Sequence, residues 1–119
     1  MEAKNSKRYD LEERTLRFAQ NVMEFVRVLP KTLVNTEVMK QVVRSSGSVG
    51  ANYIEANEAL GKKDFAMRIR ICRKEAKESC YWLKLIEATG EDAEKKRQSL
   101  ITEATELMKI FGAIIEKVK

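Results

Sequence analysis

A chain of 119 residues is long enough for one domain with its own core and needs no disulfide or metal to staple it. Charged residues make up 34% and aromatics 7%, one proline and five glycines leave long uninterrupted stretches, and the total absence of histidine removes the commonest general base and every Ser-His or Cys-His dyad. The 23 basic and 18 acidic side chains leave a net charge of +5, a balance that favours anionic partners: RNA, DNA or an acidic protein.

Four segments with helical periodicity follow one another. The first is expected from about Leu11 to Leu29, with Asp10 as N-cap and Glu13 completing a capping box. Its apolar stripe is Leu11, Thr15, Phe18, Val22, Phe25 and Leu29, and Pro30 ends it. The nine residues before Asp10 are polar throughout and read as flexible, with no signal peptide.

The second helix is expected over about Thr36 to Leu60, capped by Asn35 or Thr36. Its inner stripe, Val38, Val42, Ser45, Val49, Asn52 and Ala56, is small and polar for a core. Gly47 and Gly50 fall mid-helix, each costing about 1 kcal/mol relative to alanine, which predicts a close approach of a neighbouring helix. Along one edge of the stripe lie Gln41, Arg44, Ser48, Asn52 and Glu55, expected to form a buried polar network that fixes helix register, with Arg44 and Glu55 as its charged pair; a ligand or nucleotide site at a subunit junction is the alternative.

After a turn at Leu60–Lys63, Asp64 is placed as the cap of a third helix reaching Thr89, with Gly90 as its C-terminal stop. Phe65, Ile69, Cys72, Ala76, Ser79, Leu83 and Ile86 form its core stripe. Cys72 and Cys80, about 12 Å apart on one helix, are too distant to pair and read as reduced thiols of a cytoplasmic protein. Almost opposite the core, Lys63, Arg70, Arg73, Lys74, Lys77 and Lys84 share an arc of about 100°. That arc is either a phosphate-tracking surface or a solvated face laced by Glu75 and Glu78. A second apolar strip of Met67, Ile71, Trp82 and Leu85, with Tyr81 near its edge, exceeds what a narrow seam needs and reads as a subunit interface, the alternative being a broadened internal core.

Glu91, Asp92 and Glu94 open the fourth helix, whose stripe is Leu100, Ala104, Leu107, Phe111, Ile114 and Val118, widened by Ile101, Met108 and Ile115. Short turns between helices of similar length make an antiparallel up-down-up-down four-helix bundle, a single all-α domain over 1–119. No phosphate-loop or dinucleotide pattern, metal-ligand spacing or membrane-length apolar run occurs, so no enzyme activity, cofactor, metal or membrane partner is expected.

The run Arg44-Ser45-Ser46-Gly47-Ser48-Val49-Gly50-Ala51-Asn52-Tyr53-Ile54-Glu55-Ala56, following Leu29-Pro30, resembles the Arg-Ser…Ser-Ile…Ala-Asn-Ile-x-Glu signature of bacterial four-helix-bundle proteins related to the large-subunit (23S) rRNA intervening-sequence protein. Lys74-Glu75-Ala76-Lys77-Glu78-Ser79-Cys80-Tyr81-Trp82-Leu83 is similar to a Glu-Ala-x-Glu-Ser-x-Tyr-Trp-Leu stretch of one branch, and the likeness covers about Leu29 to Ile86. Ala56-Asn57 departs from the Glu-Gly or Ala-Gly that often closes the signature, so the helix is free to continue through Asn57. The resemblance implies a small up-and-down bundle and a homo-oligomer, with a ring-like pentamer expected. Some relatives are encoded within insertions of the large-subunit rRNA gene, and a distant one accompanies the reverse transcriptase of diversity-generating retroelements. From the basic surfaces of its members the resemblance implies contact with RNA or DNA, and it supplies no catalytic residue. The reading from a different class is a scaffold whose basic face meets an acidic protein.

Overall fold

The structure, a computed structural model, describes residues 2–118, with side chains from Asp10 onward. The flexibility expected of residues 1–9 concerns Met1 and side chains outside that set. Four helices account for almost all of it: α1 (Glu2–Arg27), α2 (Leu33–Asn57), α3 (Lys62–Leu85) and α4 (Glu91–Val118), with no strand among the described residues. Each packs on its two neighbours in the order α1, α2, α3, α4 and back to α1. Paired side chains run in opposite directions along each seam. Asn57 meets Glu12, Asn52 meets Arg68, Arg44 meets Glu78, and Arg97 reaches the α3 carbonyls of Leu83 and Lys84. The result is an antiparallel bundle drawn out to 45 × 26 × 19 Å.

The core is built from the expected stripes. Phe18, Val22, Phe25, Val42, Val49, Ile69, Leu83, Leu107 and Phe111 are buried, and Tyr53 crosses the bundle to Phe111 with ring centroids 5.9 Å apart. On α2 the inward residue is Tyr53, where the sequence pointed to Asn52, which is half-buried on the flank. On α4 Ile115 is buried, while Ile114 and Val118 are only partly so.

Helix ends differ from the expected ones in a consistent way. The stripes of α1 and α3 continue into Leu29 and Ile86, both buried, yet the helices stop at Arg27 and Leu85. These two side chains plug the core from turn backbone, Ile86 in an extended conformation (φ −65°, ψ 135°). Periodicity reports burial, and a buried loop residue satisfies it equally well. Likewise α2 includes Asn57 and stops there, short of Leu60.

The helix starts differ as well. Asp10 lies within α1, whose helical backbone begins at Glu2. Asp64 lies in the first turn of α3, and Gly61 occupies the cap position with no side-chain bond. The cap of α2 is Thr32, whose Oγ1 accepts from the Asn35 backbone N–H at 3.1 Å. Gly90, at φ +94°, lies beyond the extended segment after α3 and leads into α4, its carbonyl accepting the first helical bond from Glu94 N–H at 3.1 Å. No L side chain adopts that φ without strain.

Asn35 is not a cap. Its side chain is fully buried and donates through Nδ2 to Pro30 O (3.2 Å) and Glu87 O (3.0 Å), while Oδ1 accepts from Glu87 N–H (2.9 Å). One amide therefore ties the α1–α2 turn to the α3–α4 connection at the same end of the bundle.

The predicted close approach holds at one glycine only. A Cβ on Gly50 would lie 3.0 Å from Thr15 Oγ1 and 3.2 Å from Thr15 Cβ, so α1 and α2 touch there almost backbone to side chain. Nothing lies within 4 Å of a Cβ on Gly47, which faces outward.

Candidate functional site

The outer surface of α3 carries two features side by side. Toward α4, Arg70, Arg73, Lys74 and Lys77 line an open groove of about 420 Å³ with Ile115 and Glu116. The Arg73 stem lies beside α4 at Gly112, with Cδ 3.9 Å from where a Cβ would stand, an ordinary van der Waals distance. Lys63 and Lys84 continue the arc toward the two ends of α3, and all six cations are exposed. From Lys63 to Lys84 the row extends about 32 Å along the helix.

The acidic neighbours expected to neutralise this arc point elsewhere. Arg44 of α2 donates to Glu75 Oε1 at 3.4 Å and Glu78 Oε1 at 3.1 Å, so both carboxylates turn toward the α2 side of α3. Glu75 is buried there, beside a hydroxyl chain in which Ser45 and Ser79 lie 2.8 Å apart and Ser79 donates to Glu75 O. Among the described residues none of the six cations of the arc is in an ion pair, and Glu116 is the one carboxylate lining the groove.

The polar edge of α2 divides into parts. Asn52 Nδ2 donates to Ser48 O and Oγ, and Arg68 of α3 donates to Asn52 Oδ1 at 2.9 Å. Arg44 bonds across to Glu75 and Glu78, a pairing that the sequence reading missed. It does not reach Glu55, eleven residues along the same helix and therefore about 16 Å away. Gln41 and Glu55 are exposed on that edge. The arrangement zips α2 to α3.

The second feature of α3 is the apolar strip on its outer face, between the cationic arc and α2, with Tyr81 at the edge nearest the cations. Met67 is 47% exposed, Leu85 43% and Tyr81 58%, while Ile71 and Trp82 are half-buried. Trp82 packs edge-on to Tyr81, centroids 5.1 Å apart at 70°, and its Nε1–H is buried with no partner among the described residues. Ile101 and Met108 of α4 pack against the internal core.

Both cysteines are free and buried, and burial pushes the Cys72 thiol up to about 12, far from the thiolate a nucleophile needs. Among the described residues no group of three or more His, Cys, Asp or Glu could hold a metal ion, and no helix is long and apolar enough to cross a membrane.

A family model described as 23S rRNA-intervening sequence protein matches residues 7–113. A crystal structure of a protein of unknown function from the S23 ribosomal protein family of Bacteroides thetaiotaomicron VPI-5482 is similar, with a TM-score of 0.73 and 31% sequence identity over 92% of this chain and 98% of that one. No curated protein matches the sequence significantly.

Proposed function

The chain belongs to the 23S rRNA-intervening sequence protein family, and on that premise we propose that it is a non-catalytic binding protein that holds nucleic acid by its phosphate backbone in the α3–α4 groove. The observation that supports this most is the commitment of Glu75 and Glu78 to Arg44. It leaves Arg70, Arg73, Lys74 and Lys77 as a concave cationic row without ion-pair partners among the described residues. Arginines and lysines clustered along one track recognise phosphates without reading bases, so binding is expected to be largely independent of sequence.

The strip of Met67, Ile71, Trp82 and Leu85 supports self-association, since burying these side chains against a second copy removes apolar surface that one subunit leaves in water. A homo-oligomer, five subunits by the family resemblance, repeats the groove around a ring, and linked weak sites act multivalently on one strand. Light scattering is expected to return a mass several times 13.7 kDa. Gel shifts with single-stranded RNA, structured RNA and duplex DNA at about 100 mM salt should show retention that falls steeply as salt rises, because each neutralised phosphate releases condensed counterions. Blank lanes for all three, with binding to polyglutamate instead, would move the reading to a scaffold for an acidic protein. A clean monomer at tens of micromolar would remove the ring.

A further inference from the structure

We infer that Tyr81 is a base-stacking platform within the cationic row, which makes single-stranded nucleic acid the preferred ligand of this face. The inference rests on the phosphate-binding reading and adds a second contact to it. Wound at about 100° per residue, Tyr81 has an angle around the helix axis between those of Lys74 and Lys77, about two turns and one turn beyond them, and the apolar strip of Met67, Ile71, Trp82 and Leu85 lies to one side. Lys77 is four residues before Tyr81 and Lys84 three after it, the spacings at which side chains on a helix are neighbours. An aromatic ring is thus bracketed by cations one turn away in each direction, and all three side chains are exposed.

The ring is exposed and also held in place. At 58% exposure Tyr81 keeps much of its surface in water, while the perpendicular contact with Trp82, centroids 5.1 Å apart, restricts its orientation. Trp82 is itself packed against the core, so Tyr81 is braced on one side by a ring that stands on the bundle. A positioned ring loses little freedom when a base lies on it, and a π-face serves every base. The cations alone attract any polyanion, duplex or single-stranded. Stacking distinguishes them, because a duplex keeps its base faces inside while a single strand can turn them outward. Arg70, Arg73, Lys74 and Lys77 would then hold the backbone along the groove while a base rests on Tyr81.

The test uses the full chain and a labelled oligouridylate of about twelve nucleotides, within the span such surfaces cover. An oligothymidylate separates RNA from DNA, and a blunt RNA duplex and an abasic strand of equal length supply phosphates without accessible bases. The wild type is expected to bind the strands with bases more tightly than the abasic strand or the duplex. Tyr81→Ala should weaken binding of the base-bearing strands about 5- to 150-fold and leave the abasic strand unaffected. Tyr81→Phe should bind like the wild type. Trp82, the only tryptophan, gives a built-in readout: its emission should change with oligouridylate and stay constant with the abasic strand. If Tyr81→Ala binds every ligand as the wild type does, the platform is refuted and the phosphate row stands. A fall in the Tyr81→Ala mass by light scattering places the ring in a subunit contact and also refutes it. If the wild type binds neither bases nor bare phosphates, the proposed function fails with it.

Discussion

Reversing Arg70, Arg73 and Lys77 to glutamate is expected to abolish nucleic-acid retention at about 100 mM salt without changing helicity or subunit mass. Each reversal alters the charge by two, so the net charge per chain goes from +5 to −1. The change is concentrated in one groove, where three of its four cations become carboxylates beside Glu116. Each phosphate contact contributes about 0.9 to the slope of log affinity on log salt for a duplex and about 0.7 for a single strand. Removing three per subunit and adding repulsion should therefore flatten the salt dependence as well as lower the affinity. All three side chains are exposed and stand outside the ion pairs that join the helices. Circular dichroism and light scattering should match the wild type. A variant that binds like the parent would mean that another surface does the binding.

Asn35→Asp is expected to be the most damaging isosteric change in the chain. The amide uses all it has: its nitrogen faces the carbonyls of Pro30 and Glu87, and its oxygen takes the Glu87 N–H. A carboxylate keeps the last bond and turns a second oxygen against two carbonyls in a fully buried site. An uncompensated buried charge of this kind costs about 3–5 kcal/mol. The site holds the neutral form of the acid, so the folded pKa of the introduced carboxyl lies above its unfolded value. The variant should therefore be weakest at neutral pH and recover stability as the pH falls through the folded pKa, with the full gain present below the unfolded one. Asn35→Ala also strands the three backbone groups, but it should show no such recovery. Urea melts of the three proteins at pH 7 and at pH 4–5 decide it, and equal midpoints for Asn35→Asp and the parent at neutral pH would show that the amide does not clamp the two connections.

Much of this molecule was legible in its sequence, and the parts that were not have common causes. Spacing alone gave four helices, their order and nearly all of the core, because burial on a helix repeats every three to four residues whatever the neighbours are. The same rule placed Leu29 and Ile86 inside helices that end before them. Asn35 looked like a cap because its residue type suits caps. What it does depends on Glu87, 52 residues away, and no local pattern carries that contact. The cationic arc was visible from helical winding. The pairing of Glu75 and Glu78 with Arg44 was not, since it joins residues 31 and 34 apart in the chain and depends on how α2 packs on α3. The sequence points to Arg44 as engaged but suggests Glu55 on its own helix, about 16 Å away, where distance forbids a contact.

The seam between α1 and α4 differs from the other three in having no short connection. It is bridged by a bidentate pair, Arg14 to Glu103 at 2.7 and 2.9 Å, between residues 89 apart in the chain, and open grooves flank that bridge. The other seams join helices that follow one another through connections of four or five residues. Closing a long loop costs more entropy than closing a short one and is repaid only after contact is made. Folding should thus run along the chain: hairpins of α1–α2, α2–α3 and α3–α4 form from local encounters, and the bundle closes last where its first and last helices meet. The same seam is where native fluctuations should part the helices first, so backbone amides of α1 facing α4 should exchange with solvent ahead of those locked against Gly50 and Asn57.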